Sequence, residues 1–269
     1  MKIALVSFCP YWLQPLENIE NCIQLVVSAH KHSCQLVIFP EMTLTGFSPR
    51  DGCLEPSVME YCLKKLKEAA FQYNIYVIFG ALSKFSSGFK DLPTNDAFVI
   101  SPKAEIISRY SKIHLFSPSE ENLFVQPGNK LSTFLIDGIS FSSSICYDLR
   151  FPEVYSSVAN GVNCFVNIAS WPFKRADHWY ALLKARAIEN QAYMVGVNRQ
   201  GIDGNCLEYK FSSIVYDPLG NPVPLEFPET QSCLAYVDID FNFSRKIRSE
   251  FDVLNNKRHD LYKSFFLAS

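Results

Sequence analysis

The sequence predicts a layered α/β domain built on a mixed β-sheet, and three observations carry that prediction. Apolar, β-branched runs alternate with amphipathic helical segments near both ends of the chain. Runs in the middle of the chain are joined by tight turns and read as hairpins. No linker, internal repeat or low-complexity tract interrupts the 269 residues, so one domain over residues 1–269 is expected.

Residues 2–8 open as a short apolar strand. Over 16–30, Ile19, Cys22, Ile23, Val26 and Val27 recur at helical spacing and give the helix one buried face. A second strand, 35–39, ends at Pro40-Glu41. The stretch 45–56 is rich in Gly, Pro and Asp and reads as a loop. An amphipathic helix with lysines outward follows at 58–73, then a β-branched and aromatic strand at 75–82. A polar turn region holding Gly88 occupies 83–93. Residues 96–100 and 105–110 form a hairpin turning at Ser101-Pro102-Lys103. Residues 114–129 have no period and contain Pro118, Pro127 and Gly128; a loop of that length points to function. A second hairpin, 134–137 with 139–145, turns at Asp137-Gly138. Pro152 suits the first turn of a helix over 152–159. A fully apolar strand at 164–169 precedes a helix of strong formers at 176–191. Further strands are expected at 193–197, 212–216 and 234–239, and the tail 241–267 is expected to wrap a neighbour.

Composition narrows the function. Hydrophobic residues are 48% and aromatics 14%, enough for a large core. A net charge of -2 without a Lys/Arg block gives no electrostatic case for nucleic acid or an anionic membrane. Nine cysteines, an odd number with no CxxC pair, argue against a disulfide framework or zinc knuckle and for the reducing cytosol. The N-terminal run reads as a strand rather than a signal peptide, and no segment approaches a membrane span. The five histidines lack HExxH or any paired metal spacing, and Gly128-Asn129-Lys130 lacks the first glycine of a phosphate loop.

The stretch ISFSSSICYDLRF at 139–151 organises the chemistry. It starts as a buried strand and breaks at Cys146 into a polar cluster ahead of Pro152. A cysteine leaving a strand just before a helix faces backbone N–H groups, which favours a thiolate; a small buried hydrophobe is the plain alternative. Glu41, Lys112 and Trp171 also lie just past apolar strands, so the four positions could converge outside the strand ends. Together, a glutamate base, a lysine for the oxyanion and a cysteine nucleophile make a hydrolytic site, with the Tyr147 N–H as a second oxyanion donor. His114 or His178 as the base is the competing arrangement. Arg175, just past Trp171-Pro172, could bind a substrate carboxylate, and Trp171 suits a pocket wall. Asp148 and Arg150 are expected to pair beside the nucleophile.

FPEMTLTGF around Glu41, RYSKIHLF around Lys112 and SSICYDLRFPE around Cys146 resemble the three signature segments of the nitrilase superfamily of carbon–nitrogen hydrolases. The likeness extends through ASWP at Trp171, HWYALLKARAIENQAY at 178–193 and RSEFDVLNNKRHDLY near the C-terminus, and is strongest to the omega-amidase branch. It implies an α/β fold of four layers, an αββα sandwich with two mixed sheets face to face, and a homodimer in which the C-terminal tail makes contacts. It implies Glu41 as general base, Lys112 as oxyanion stabiliser and Cys146 as nucleophile, with no cofactor. The family's second glutamate falls on Glu120 or Glu121, of which Glu121 is chosen. The implied reaction is release of ammonia from a small carboxylate-bearing amide such as 2-oxoglutaramate. An N-carbamoyl amino acid, a nitrile, or a non-catalytic metabolite-binding descendant are the alternatives. The chain departs from the pattern at Phe211-Ser212-Ser213, where many relatives carry a Gly-Asp-Ser-like run.

Overall fold

The computed structural model describes residues 1–84, 92–229 and 231–268. In chain order the first half runs β1 (Lys2–Val6), α1 (Pro15–Lys31), β2 (Leu36–Ile38), α2 (Pro56–Gln72), β3 (Tyr76–Ser83), β4 (Thr94–Ile100), β5 (Ile106–Ser111) and the one-turn α3 (Glu121–Phe124). The second half runs β6 (Thr133–Ile136), β7 (Ile139–Ile145), α4 (Pro152–Ser156), β8 (Cys164–Ala169), α5 (Ala176–Asn190), β9 (Tyr193–Asn198), β10 (Gly201–Ile202) and β11 (Glu208–Tyr209). It closes with β12 (Ile214–Tyr216), β13 (Leu234–Asp238), α6 (Phe241–Glu250) and α7 (His259–Ala268).

Two mixed sheets carry the fold, in the orders β13-β1-β2-β3-β4-β5 and β12-β9-β8-β7-β6. The single sheet that the strand pattern alone predicts is thus divided, with β5 an edge of one sheet and β6 an edge of the other. Period-two alternation shows how they stack. Ile3, Leu5, Leu36, Ile38, Ile78, Ala97 and Val99 join Phe134, Phe141 and Ile145 in one core between the sheets. Their neighbours Ala4, Val6, Val37, Phe39, Val77 and Phe79 point the other way, onto Ile19, Val26, Met59 and Leu66 of α1 and α2. Trp179, Leu183 and Ala187 of α5 cover the outer face of the second sheet. The layers are therefore helix, sheet, sheet, helix, as the family resemblance implies.

Element boundaries shift by a few residues from the sequence reading, and three differences matter. The 114–129 segment contains a 3₁₀ turn (Ser117–Ser119) and α3. A 3₁₀ turn (Cys146–Arg150) separates the nucleophile candidate from α4. The first part of the tail docks on its own chain: Phe241 joins the core, and Arg248 Nη2 in α6 donates to the carbonyls of Val162 and Asn190 at 2.7 and 2.9 Å. The polar turn expected over 83–93 lies outside the described residues for 85–91. Among the described residues no helix is long and apolar enough to cross a membrane.

Candidate active site

Strand ends deliver the ionisable groups to one place. Glu41 follows β2 and Lys112 directly follows β5, whose partner strand β4 carries Asn95; Lys112 N donates to the Asn95 carbonyl at 2.8 Å. Glu41, Asn95, Lys112 and Glu121 are all fully buried. Lys112 Nζ donates to Glu41 Oε1 at 2.9 Å and to Glu121 Oε2 at 2.8 Å. Glu41 Oε2 accepts the Ser170 N–H at 2.9 Å, just past β8. Burial opposes a charge on Lys112, yet the two carboxylates, Glu121 first, hold its ammonium above the ordinary lysine range.

Cys146 completes the cluster from the second sheet. It stands at the end of β7 with φ +45°, in the left-handed region, where a non-glycine residue stores of order 1–3 kcal/mol of strain. That corner turns the chain sharply into the 3₁₀ turn. Its Sγ lies 3.9 Å from the Ser170 carbonyl, so sulfur and Glu41 carboxylate both meet the Ser170 backbone. The electrostatics at the sulfur run against the thiolate expected from the sequence. Burial, and then the negative charge of Glu41, push the thiol well up, while Lys112 opposes them.

Asp148 anchors the Cys146 turn, but does not pair with Arg150. Its Oδ2 accepts from Tyr110 Oη at 2.7 Å and Ile145 N at 3.1 Å, and its Oδ1 accepts from His114 N at 2.9 Å. His114 Nδ1 lies 2.9 Å from Oδ1, and the imidazole stacks on Phe151. The expected Asp148–Arg150 pair does not form because Asp148 is fully buried and already occupied. The Arg150 guanidinium lies instead over the Trp171 ring at 4.9 Å, with Nη2 3.3 Å from His178 Nδ1. Both histidines are thus engaged away from the sulfur.

A cavity of about 130 Å³ opens onto Cys146 and is lined by Tyr147, Trp171 and Arg175, and also by Arg150, Phe116 and Tyr209. Its described lining includes two arginines and no acidic side chain. Trp171 forms a buried wall, its Nε1 donating to the Arg175 carbonyl at 2.8 Å. The Arg175 guanidinium lies 5.4 Å from the Phe116 ring centre. Tyr147 is the second residue of the 3₁₀ turn that starts at Cys146, and the first N–H groups of such a turn have no carbonyl partner within it.

The two candidate glutamates lie in different places. Glu120 has φ +58° at the start of α3 and is exposed, whereas Glu121 turns inward onto Lys112 and accepts Phe116 N at 2.7 Å. The departure at 211–213 braces the wall from behind. Ser212 Oγ accepts from Asn198 Nδ2 at 2.9 Å, and the same Asn198 side chain exchanges two hydrogen bonds with the Trp171 backbone. Asn95 and Ser170 escaped the sequence reading. Asn95 lies one residue before the expected strand, and its only signal is a polar residue in an otherwise buried run; Ser170 acts through backbone atoms, which no residue pattern reveals. Among the described residues no cluster could hold a metal ion.

The chain belongs to a class of hydrolase: residues 2–249 match the carbon–nitrogen hydrolase family. Within that family it is similar to the "2-oxoglutaramate amidase" of Bacillus subtilis (strain 168), at 30% identity over 97% of this chain and 98% of that one. It is similar also to "Omega-amidase YafV" of Escherichia coli (strain K12), at 33% identity over 69% of this chain and 70% of that one. Its fold is shared with the crystal structure of an amidase from Nesterenkonia sp., at a TM-score of 0.85 and 23% identity over 98% and 96% of the two chains. The protein is accordingly an enzyme that hydrolyses carbon–nitrogen bonds.

Proposed function

We propose that this protein is a thiol amidase that releases ammonia from the terminal amide of a small carboxylate-bearing molecule, of the 2-oxoglutaramate type. One observation carries the reading. A nucleophile candidate opens into a small cavity rimmed by two arginines, and Ser170 joins it to the buried Glu41–Lys112–Glu121 cluster. The names of the relatives agree with it.

In this mechanism Glu41 takes the Cys146 proton as sulfur attacks the amide carbonyl. The carbonyl oxygen gains the electron pair and is held by Lys112 Nζ and the Tyr147 N–H. Protonated Glu41 gives its proton to the departing nitrogen, which leaves as ammonia, and a thioester remains on Cys146. Water attacks the thioester, Glu41 again accepts the proton, and the acid leaves as the thiol is restored. Glu121 fixes Lys112 throughout. Arg150 and Arg175 receive the substrate carboxylate, Trp171 bounds the cavity, and the small volume excludes large amides.

The test is ammonia release from 2-oxoglutaramate, succinamate, glutamine and N-carbamoyl amino acids, with Cys146→Ala as blank. The omega-amides are expected to give the highest kcat/KM. Undiminished release by Cys146→Ala would overturn the nucleophile, and a preference for N-carbamoyl amino acids would overturn the substrate class. The same reading places the enzyme in the cytosol as a homodimer with contacts through the tail. Nine unpaired cysteines support the compartment, and light scattering reads the assembly.

A further inference from the structure

Asn95 carries a feature that a packing residue would not. Its Nδ2 donates to Glu41 Oε1 and to Glu121 Oε1, each at 2.8 Å, so both N–H bonds of the amide are committed to carboxylates. A flipped amide would press Oδ1 against two anions, which fixes the orientation. The consequence is that Oδ1 is buried with no hydrogen-bond partner among the described residues. Such an orphan acceptor costs about 1–3 kcal/mol, and an apolar side chain of similar size would avoid it.

With Lys112, the amide closes a ring. Lys112 joins Glu41 to Glu121 on one side, and Asn95 joins the same two carboxylates on the other. Two carboxylates, one ammonium and a neutral double donor therefore share the interior. We infer that Asn95 is a positioning residue of the hydrolytic site, which holds Glu41 and Glu121 apart with donors that bring no charge, so that Glu41 keeps its aim and basicity toward Cys146. A second cation in its place would add charge to the cluster; an apolar residue would remove the donors that orient both carboxylates. The charged and titratable groups facing this amide are Glu41 after β2, Lys112 after β5, Glu121 in α3 and, across the cluster, Cys146. The adjacent Asp96 is engaged separately, by Ser111, Thr94 and Arg109.

This inference rests on Glu41 acting as the base, and the experiment separates the two. Asn95→Ala and Asn95→Asp are measured beside Glu41→Gln across pH, after a cooperative melt confirms folding. Asn95→Ala is expected to lower kcat by roughly 10–100-fold, to change KM by less than about threefold, and to move the acid limb of kcat/KM up by about one pH unit. Asn95→Asp keeps the volume, loses the donors and is expected to be no better than Asn95→Ala. If Asn95→Asp keeps the parent kcat, or the acid limb stays still in Asn95→Ala, the positioning role is overturned. If Asn95→Ala does not fold, Asn95→Ser is judged by the same limb and the same kcat criterion. An active Glu41→Gln would overturn the base assignment instead.

Discussion

Glu41 accepts hydrogen bonds from Lys112, Asn95 and Ser170, and each donor limits what the carboxylate can do. Lys112→Ala removes the one cation between two buried carboxylates. It is expected to cut kcat by at least the ~10²–10³-fold typical of one lost oxyanion donor. Breaking a buried ion pair from one side also lowers stability by about 3–5 kcal/mol, read by denaturant melting. Near-parent kcat in that variant would remove Lys112 from the oxyanion role. Arg150 offers a cleaner test of specificity, because it touches the cavity and not the buried ring. Arg150→Met is expected to raise KM for omega-amides bearing a carboxylate about tenfold or more, and to leave a neutral amide nearly unaffected. Equal losses for both substrates would mean that the guanidinium serves the wall, not the ligand.

At the scale of elements, the site depends on close backbone packing. A Cβ on Gly80 in β3 would lie 2.7 Å from Met42 N and 2.8 Å from Glu41 Cα. Gly80→Ala is therefore expected to displace the Glu41 turn, lowering kcat at least tenfold and stability by about 1–3 kcal/mol. A parent-like kcat would show that the turn tolerates the shift. The regular elements were legible in sequence because burial imposes a period. Residues 16–30 and α1, and 164–169 and β8, agree closely. The short elements were not. β10, β11 and the 3₁₀ turn at Cys146 are held by tertiary contacts and have too few residues to show a period. The Asp148–Arg150 expectation failed for a related reason. Neighbours in sequence point apart when one is drawn into a buried network across the sheets.

The whole molecule should weaken in alkali. Burial pushes up the thiols of Cys22, Cys62, Cys146 and Cys164, and of Cys34, Cys62 reaching about 11 and Cys34 about 12. Unfolded cysteines release their protons near pH 8.5, so above that pH the unfolded chain binds fewer protons than the folded one. Stability is then present below about pH 8.5 and lost as pH rises, and the melting temperature should fall steadily beyond it; a flat profile to pH 10.5 would contradict the burial of these thiols. By itself the sequence determined the kinds of group available, the periods of the long strands and helices, and the family to which three short motifs belong. Those are local properties, written in composition and spacing. Only the tertiary structure decided which groups meet. Glu41 finds Lys112 71 residues away and Ser170 129 residues away, and Asn95 enters between two glutamates. Such contacts are set by the stacking of two sheets, whose separation and register no single segment encodes.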